Sequence, residues 1–191
     1  MMIGGGVAIE PRHDLNVEWR TRARSALFAL WPVVAVLAFA ALFQSGRHLP
    51  PDVSWLITLC EKTLDGQRPY LDFIEVNPPA SILLYLPAVS VARLIGVKSE
   101  IIVSVFCFLA IGASLTLCAK ALHNRGFFER VEAFSLTGAA VALAVLPADN
   151  FAQREHFAII AGLPCLAVLI ARTTAWRSAP AYEFWAESAP A

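Results

Sequence analysis

The chain has little charge. Only 16% of its 191 residues are Asp, Glu, Lys or Arg, whereas 58% are hydrophobic, and the mean hydropathy is +0.61. A soluble domain needs more charge than this on its surface, so the composition indicates a membrane protein. The formal net charge is zero, so no basic field argues for a nucleic-acid partner.

The chain also lacks any cysteine pattern. Its four cysteines are scattered, with no C-x-x-C pair and no His/Cys spacing of a metal site: Cys60, Cys107, Cys118 and Cys165. This excludes a zinc motif of ordinary spacing and favours a role as small apolar core residues.

Long uncharged runs dominate the chain instead. Residues 26–43 form a run of 18 uncharged residues, about the minimum for crossing a hydrocarbon core of ~30 Å. The preceding residues 1–25 carry four arginines, which favours a cytoplasmic N-terminal tail. Three further spans are predicted at residues 101–119, 133–147 and 157–171.

The run at residues 80–97 decides the topology. It is apolar but contains Pro87 and Arg93. If it crossed the membrane, the basic loop 120–130 would lie outside, against the positive-inside rule. We therefore predict an all-α, polytopic membrane helix bundle of four transmembrane helices, with interfacial helices in the first outer loop; five transmembrane helices are the alternative.

The predicted organisation has three parts. A cytoplasmic tail (1–25) precedes a membrane domain (26–172), and a disordered tail (173–191) follows it. Within the membrane domain, the outer loops are 44–100 and 148–156, and the cytoplasmic loop is 120–130. The protein is therefore expected to be a multi-pass membrane chain with its N-terminus in the cytoplasm.

Residues 51–79 are unusually acidic, because they hold five of the chain's 15 carboxylates. Apolar residues recur there at helical spacing and predict a short amphipathic helix that lies flat on the membrane surface: Val53, Leu56, Ile57, Cys60 and Leu64. Asp52 is predicted to cap its N-terminus, and Asn77 to cap the next helix with Pro78 in its first position.

These polar residues have two interpretations. Asp52 is as well explained by helix capping as by chemistry, Asp72 and Glu75 by a solvated surface, and Arg154 by contact with lipid headgroups. Alternatively, carboxylates at a membrane surface bind a metal ion or deprotonate a hydroxyl, and arginines hold a phosphate.

The order of three short motifs resembles the N-terminal part of GT-C glycosyltransferases, in particular protein mannosyltransferases and aminoarabinose transferases. The motifs are Asp52, the sequence DGQRPYLDFIEVNPP at 65–79 and FAQREHFAIIAGLP at 151–164. Enzymes of this family transfer sugar from a polyprenyl-phosphate donor on the outer face of the membrane, and the resemblance to their bacterial members implies a place in the bacterial inner membrane. They have more spans than this chain has room for, so the chain is expected to be a truncated, N-terminal part of one.

The resemblance implies a set of site residues. The catalytic candidates are Asp52, Asp149 and Glu155. A divalent metal ion, if one is used, is expected at Asp52 and Asp149. The substrate-binding candidates are Arg68, Tyr70, Asp72, Glu75, Asn77, Lys98, Arg154 and His156. Relatives often have a lysine before the Pro-Pro pair that contacts the lipid phosphate; Asn77 stands there, and Arg68, Lys98 or Arg154 would replace that lysine.

Two functions from different classes follow. The first is an inverting glycosyltransferase, or part of one, whose partners are the lipid bilayer and a polyprenyl-phosphate sugar. The second is a non-catalytic membrane subunit or scaffold for envelope polysaccharide assembly, or an inactive fragment, with other membrane subunits as partners. A transporter is a weaker third choice, because no predicted span has a central ionisable residue.

Overall fold

The computed structural model describes residues 31–123 and 129–177, and these are helical without a β-strand. The predicted tail 1–25, the first residues of the span 26–43, the middle of the loop 120–130 and most of the tail 173–191 lie outside the described residues. The all-α prediction is confirmed for the described part. Its helices are α1 (Trp31–Ser45), α2 (Pro51–Leu64), α3 (Pro79–Ile95), α4 (Ser99–His123), α5 (Glu129–Ala144) and α6 (Arg154–Arg177).

Two of these helices are long and apolar enough to cross a membrane. They contain the candidate spans Ser99–Leu122 in α4 and Arg154–Thr173 in α6. The apolar parts of the other helices are shorter: Trp31–Ser45, Pro79–Ile95 and Phe134–Ala144. The number of spans, predicted as four, therefore stays a prediction.

Helices α2 and α3 both begin at the second residue of a Pro-Pro pair. Pro50 and Pro78 occupy the N-cap positions with extended ψ angles of 146° and 151°. A residue before proline is disfavoured in the helical region, whereas proline itself suits the first helical position. The predicted capping roles are therefore wrong: Asp52 lies inside the first turn of α2, and Asn77 precedes the cap of α3.

The apolar face of α2 is buried, as its periodicity predicted. Val53, Leu56, Ile57 and Cys60 are all in the core, where α2 packs mainly on α3. The Cys60 thiol donates a hydrogen bond to the carbonyl of Ile82 at 3.3 Å. Burial, and then the nearby Glu61 carboxylate, raise the pKa of this thiol to about 12, so it stays neutral at physiological pH.

The long helices α4 and α6 run parallel. Cys107 contacts His156, and the Ser114 hydroxyl donates to the carbonyl of Ile160, so contact positions ascend together in both helices. Leu143, near the end of α5, accepts a hydrogen bond from His156, near the start of α6. Residues 145–153 consequently lie at the end of the bundle where α6 begins.

A hydrogen bond from Tyr85 connects α3 to this end of the bundle. Its buried hydroxyl donates a 2.7 Å hydrogen bond to the carbonyl of Ala152, a residue with φ of 61°. A left-handed alanine is disfavoured and persists only where surrounding contacts hold it.

We predict that Tyr85→Phe destabilises the protein by about 1–3 kcal/mol, because the buried Ala152 carbonyl loses its partner. Tyr70→Phe is the matched control, since the hydroxyl of Tyr70 bonds the Asn77 carbonyl at an exposed position. Thermal unfolding in detergent measures both. Equal losses in the two variants would contradict a special role for the Tyr85 hydroxyl.

Candidate functional site

A narrow cleft lies where α2, α3 and the start of α6 meet. Asp52 at the N-terminus of α2 and Arg154 and Glu155 at the N-terminus of α6 supply its charges. The full lining is Asp52, Val53, Leu56, Tyr85, Gln153, Arg154 and Glu155. Two predicted catalytic carboxylates, Asp52 and Glu155, thus share one cleft with a predicted substrate-binding arginine.

Arg154 connects the start of α6 to the start of α3. One of its terminal nitrogens, Nη1, donates to Oδ1 of Asn77 at 2.6 Å and to the Ser81 hydroxyl at 3.1 Å. The other, Nη2, lies 3.9 Å from the Glu155 carboxylate. The guanidinium is therefore held through one terminal nitrogen, while the other makes only a long ion pair within the described part of the chain.

Glu75 is the buried acid of this region. Its Oε1 accepts from the backbone and side-chain nitrogens of Asn77 at 2.7 and 2.6 Å, and its Oε2 accepts from Trp55 Nε1 at 2.8 Å. Desolvation raises the pKa of Glu75, but these hydrogen bonds outweigh it and hold the pKa below its ordinary value of 4.5. Glu75 is therefore a carboxylate at neutral pH, with its oxygens already engaged.

The same bonds fix the orientation of Asn77. Because the Asn77 amide nitrogen donates to Glu75, its oxygen points to Arg154. Glu75 and Asn77, both predicted to bind substrate, hold the arginine in place: Asn77 accepts from Arg154 and donates to Glu75.

The Asp52 carboxylate is exposed and, among the described residues, has no hydrogen-bond or ion-pair partner. It lies in the first turn of α2, where the helix dipole favours a negative charge. Glu155 has the equivalent position in α6 and is also exposed. Both carboxylates are accessible from the mouth of the cleft.

Asp149 is not among the residues that line the cleft. Its carboxylate pairs with Arg47, and the Arg47 guanidinium also lies 5.1 Å from the centre of the Phe43 ring. The described residues contain no group of three or more His, Cys, Asp or Glu side chains that could hold a metal ion. Of the two predicted metal ligands, Asp52 lines the cleft and Asp149 does not, so a metal ion held by both stays a prediction.

Four further predicted ligands, Arg68, Tyr70, Asp72 and Lys98, lie outside the cleft lining. Arg68 pairs with Asp72, whose pKa is lowered first by the backbone N–H of Arg68 and then by its side chain. Tyr70 bonds the Asn77 carbonyl and has φ of 68°. Lys98 is exposed in the connection between α3 and α4.

His156, which was predicted to bind substrate, is buried, and both of its ring nitrogens have partners. The side chain is 5% exposed, its Nδ1 accepts from the Ala152 N–H at 3.1 Å, and its Nε2 donates to the Leu143 carbonyl at 2.7 Å. Neither ring nitrogen is left for a ligand. His156 joins α5 to α6.

The sequence reasoning missed Trp55, Ser81 and Tyr85. Ser81 and Tyr85 lie four and eight residues after Asn77. They share one face of α3, and the Ser81 hydroxyl accepts a hydrogen bond from Arg154. That spacing of polar groups in an apolar helix was a usable signal. Nothing in the sequence marked Trp55 as the partner of Glu75.

No protein-family model matches this chain, and the searches of curated proteins and of solved structures find no match either.

We predict that Glu75 makes stability depend on acid. Its pKa is lower in the folded chain than its ordinary value of 4.5. Its stabilisation is therefore complete above that value and is lost as the pH falls through the folded pKa. The difference in unfolding free energy between the wild type and Glu75→Gln should shrink as the pH falls from above 4.5 through the lower folded pKa.

Chemical unfolding at a series of pH values measures that difference. Glu61→Gln is a suitable control, because Glu61 is exposed and accepts from Ser99 alone among the described residues. A constant difference between wild type and Glu75→Gln over the whole range would contradict the prediction.

Proposed function

We propose that this chain is a multi-pass protein of the bacterial inner membrane, with four spans and interfacial helices α2 and α3, which forms part of a polyprenyl-phosphate-dependent glycosyltransferase. The membrane assignment is supported by the two candidate spans and by the low charge of the chain. The N-terminus would lie in the cytoplasm, and residues 44–100 and 148–156 outside.

One observation carries the enzymatic proposal: Asp52 and Arg154 line the same cleft, although they are far apart in the chain. A free carboxylate beside an anchored guanidinium suits the transfer of a group from a phosphate to a hydroxyl. The carboxylate accepts a proton, and the guanidinium stabilises the departing anion.

In the proposed reaction, an acceptor hydroxyl loses its proton to Asp52 and attacks the anomeric carbon of the sugar. A bond from that carbon to the acceptor oxygen forms as the bond to the phosphate oxygen breaks. The lipid phosphate leaves with the electron pair, and Arg154 stabilises its charge. Of the three candidate cations, Arg154 is favoured because Arg68 pairs with Asp72 and Lys98 lies outside the cleft lining.

A second function is favoured by the width of the cleft, which in this conformation admits no water-sized sphere. A non-catalytic subunit or scaffold for envelope polysaccharide assembly needs no open site. In that case Asp52 stabilises the α2 N-terminus, and Arg154 serves only to tie α6 to α3.

We predict that Asp52→Asn lowers sugar transfer by about 10²–10⁴-fold, the usual contribution of a general base. Transfer of labelled sugar from polyprenyl-phosphate donors in membrane vesicles measures it. Asp65→Asn is the matched control: Asp65 follows the other end of α2 and pairs with Arg93. Equal activity of Asp52→Asn and wild type would exclude the catalytic role, and no transfer by the wild type would favour the scaffold.

We also predict that single cysteines at positions 98 and 149 react with a membrane-impermeant reagent added to intact cells, whereas one at position 125 does not. The expectation follows from four spans, in which α3 stays at the outer surface. A Cys165→Ala background removes the exposed native thiol, since Cys60, Cys107 and Cys118 are buried. Labelling at position 125 from outside would contradict four spans and favour five.

A further inference from the structure

The connection between α2 and α3 presents an aliphatic edge, formed by Leu71, Ile74 and Val76. These side chains are 74%, 91% and 93% exposed. Between the last two, Glu75 points inward and is buried. From Phe73 to Val76 the side chains alternate between inward and outward, which is the period of an extended chain, whereas Leu71 lies in the preceding turn. Single exposed aliphatic residues are ordinary, but three within six positions form a patch.

Hydrogen bonds of the two acidic residues in the loop hold the edge in place. The exposed Asp72 accepts from the backbone and side chain of Arg68, and the buried Glu75 accepts from Trp55 and Asn77. Rotating the aliphatic side chains inward would turn Glu75 outward and break its bonds. The exposure is thus a property of the folded loop.

The aliphatic edge ends next to the first residue of a candidate span. Asn77, the residue after Val76, accepts a hydrogen bond from Arg154, the first residue of the span Arg154–Thr173. Helix α3, which follows the edge in the chain, also has exposed uncharged residues at helical spacing, beside the exposed Arg93 that pairs with Asp65: Ala80, Leu83, Pro87, Val91 and Leu94. The aliphatic edge therefore precedes a helix face suited to hydrocarbon.

The residue types around the edge are those that are enriched at membrane interfaces. Trp55 and Tyr70 are partly exposed aromatic residues with a hydrogen-bonding tip. The Lys62 ammonium lies 5.9 Å from the Trp55 ring centre and 5.7 Å from that of Phe73. Amphipathic aromatic and basic side chains are enriched where hydrocarbon meets headgroups.

We infer that Leu71, Ile74 and Val76 insert into the outer leaflet of the bilayer that the protein spans, and that this lipid surface covers the aliphatic edge. The inference rests on the membrane placement in the proposed function, but not on sugar transfer. Insertion would hold the loop that carries Glu75 and Asn77, and with it the mouth of the cleft, at the headgroup level.

The test uses a fluorescent, environment-sensitive label on single cysteines in the full chain with Cys165→Ala. The label replaces Ile74 or, as a matched control in the same loop, the exposed polar residue Gln67. The protein is reconstituted in phosphatidylethanolamine–phosphatidylglycerol vesicles, with and without lipids that carry a spin-label quencher on the upper acyl chain. Because Ile74 is 91% exposed, its replacement leaves the core unchanged.

Quenching by the lipids at position 74, with several-fold weaker quenching by aqueous iodide than at position 67, supports insertion. Equal iodide quenching at both positions overturns it. Protection from iodide without lipid quenching also overturns it and indicates that a protein surface covers the edge. A label at Leu109, exposed in the middle of α4, separates the two proposals: if it is not quenched by spin labels deep in the acyl chain, the membrane placement itself fails.

Discussion

The arrangement of the helices depends on the buried imidazole of His156. It donates to the carbonyl of Leu143 in α5, accepts from the N–H of Ala152 and contacts Cys107 of α4. A buried polar group without partners is costly, so this side chain is satisfied only when these three segments meet in one register. That register brings the N-terminus of α6, with Arg154 and Glu155, to the end of the bundle where α2 and α3 lie.

A second set of polar contacts extends this constraint to the first loop. The carboxylate of Glu75 accepts from Trp55 and Asn77, and Asn77 in turn accepts from Arg154. Negative and positive charge are thus joined through a neutral amide, which avoids a direct buried ion pair and its desolvation cost. Two segments that are distant in sequence become one surface, on which Asp52 is the carboxylate with no partner among the described residues.

The helices could be predicted from the sequence better than the contacts between them could. Periodicity identified the buried face of α2, because Val53, Leu56 and Cys60 recur at helical spacing. Capping preferences misplaced both helix starts. Asp52 and Asn77 are favoured as N-caps, but each helix begins at a proline in its first position instead. The partners of Glu75 and Arg154 were out of reach of local patterns, because they depend on how α6 docks against α3. His156 shows the same limit: a histidine in a polar segment suggested a ligand, and only the fold revealed its buried partners.

The contacts of Arg154 also bear on why this position holds an arginine. Asn77 and Ser81 both bind Nη1, so the anchoring uses one terminal nitrogen. A guanidinium has five donors in a planar fork, and here, among the residues that the structure describes, Nη2 makes only the 3.9 Å contact with Glu155. A phosphate could therefore take the Nε–Nη2 edge while Nη1 stays bound. A lysine at this position has a single nitrogen, which would have to divide its donors between the scaffold and the ligand. The proposed phosphate site thus needs an arginine for a geometric reason that is independent of its charge.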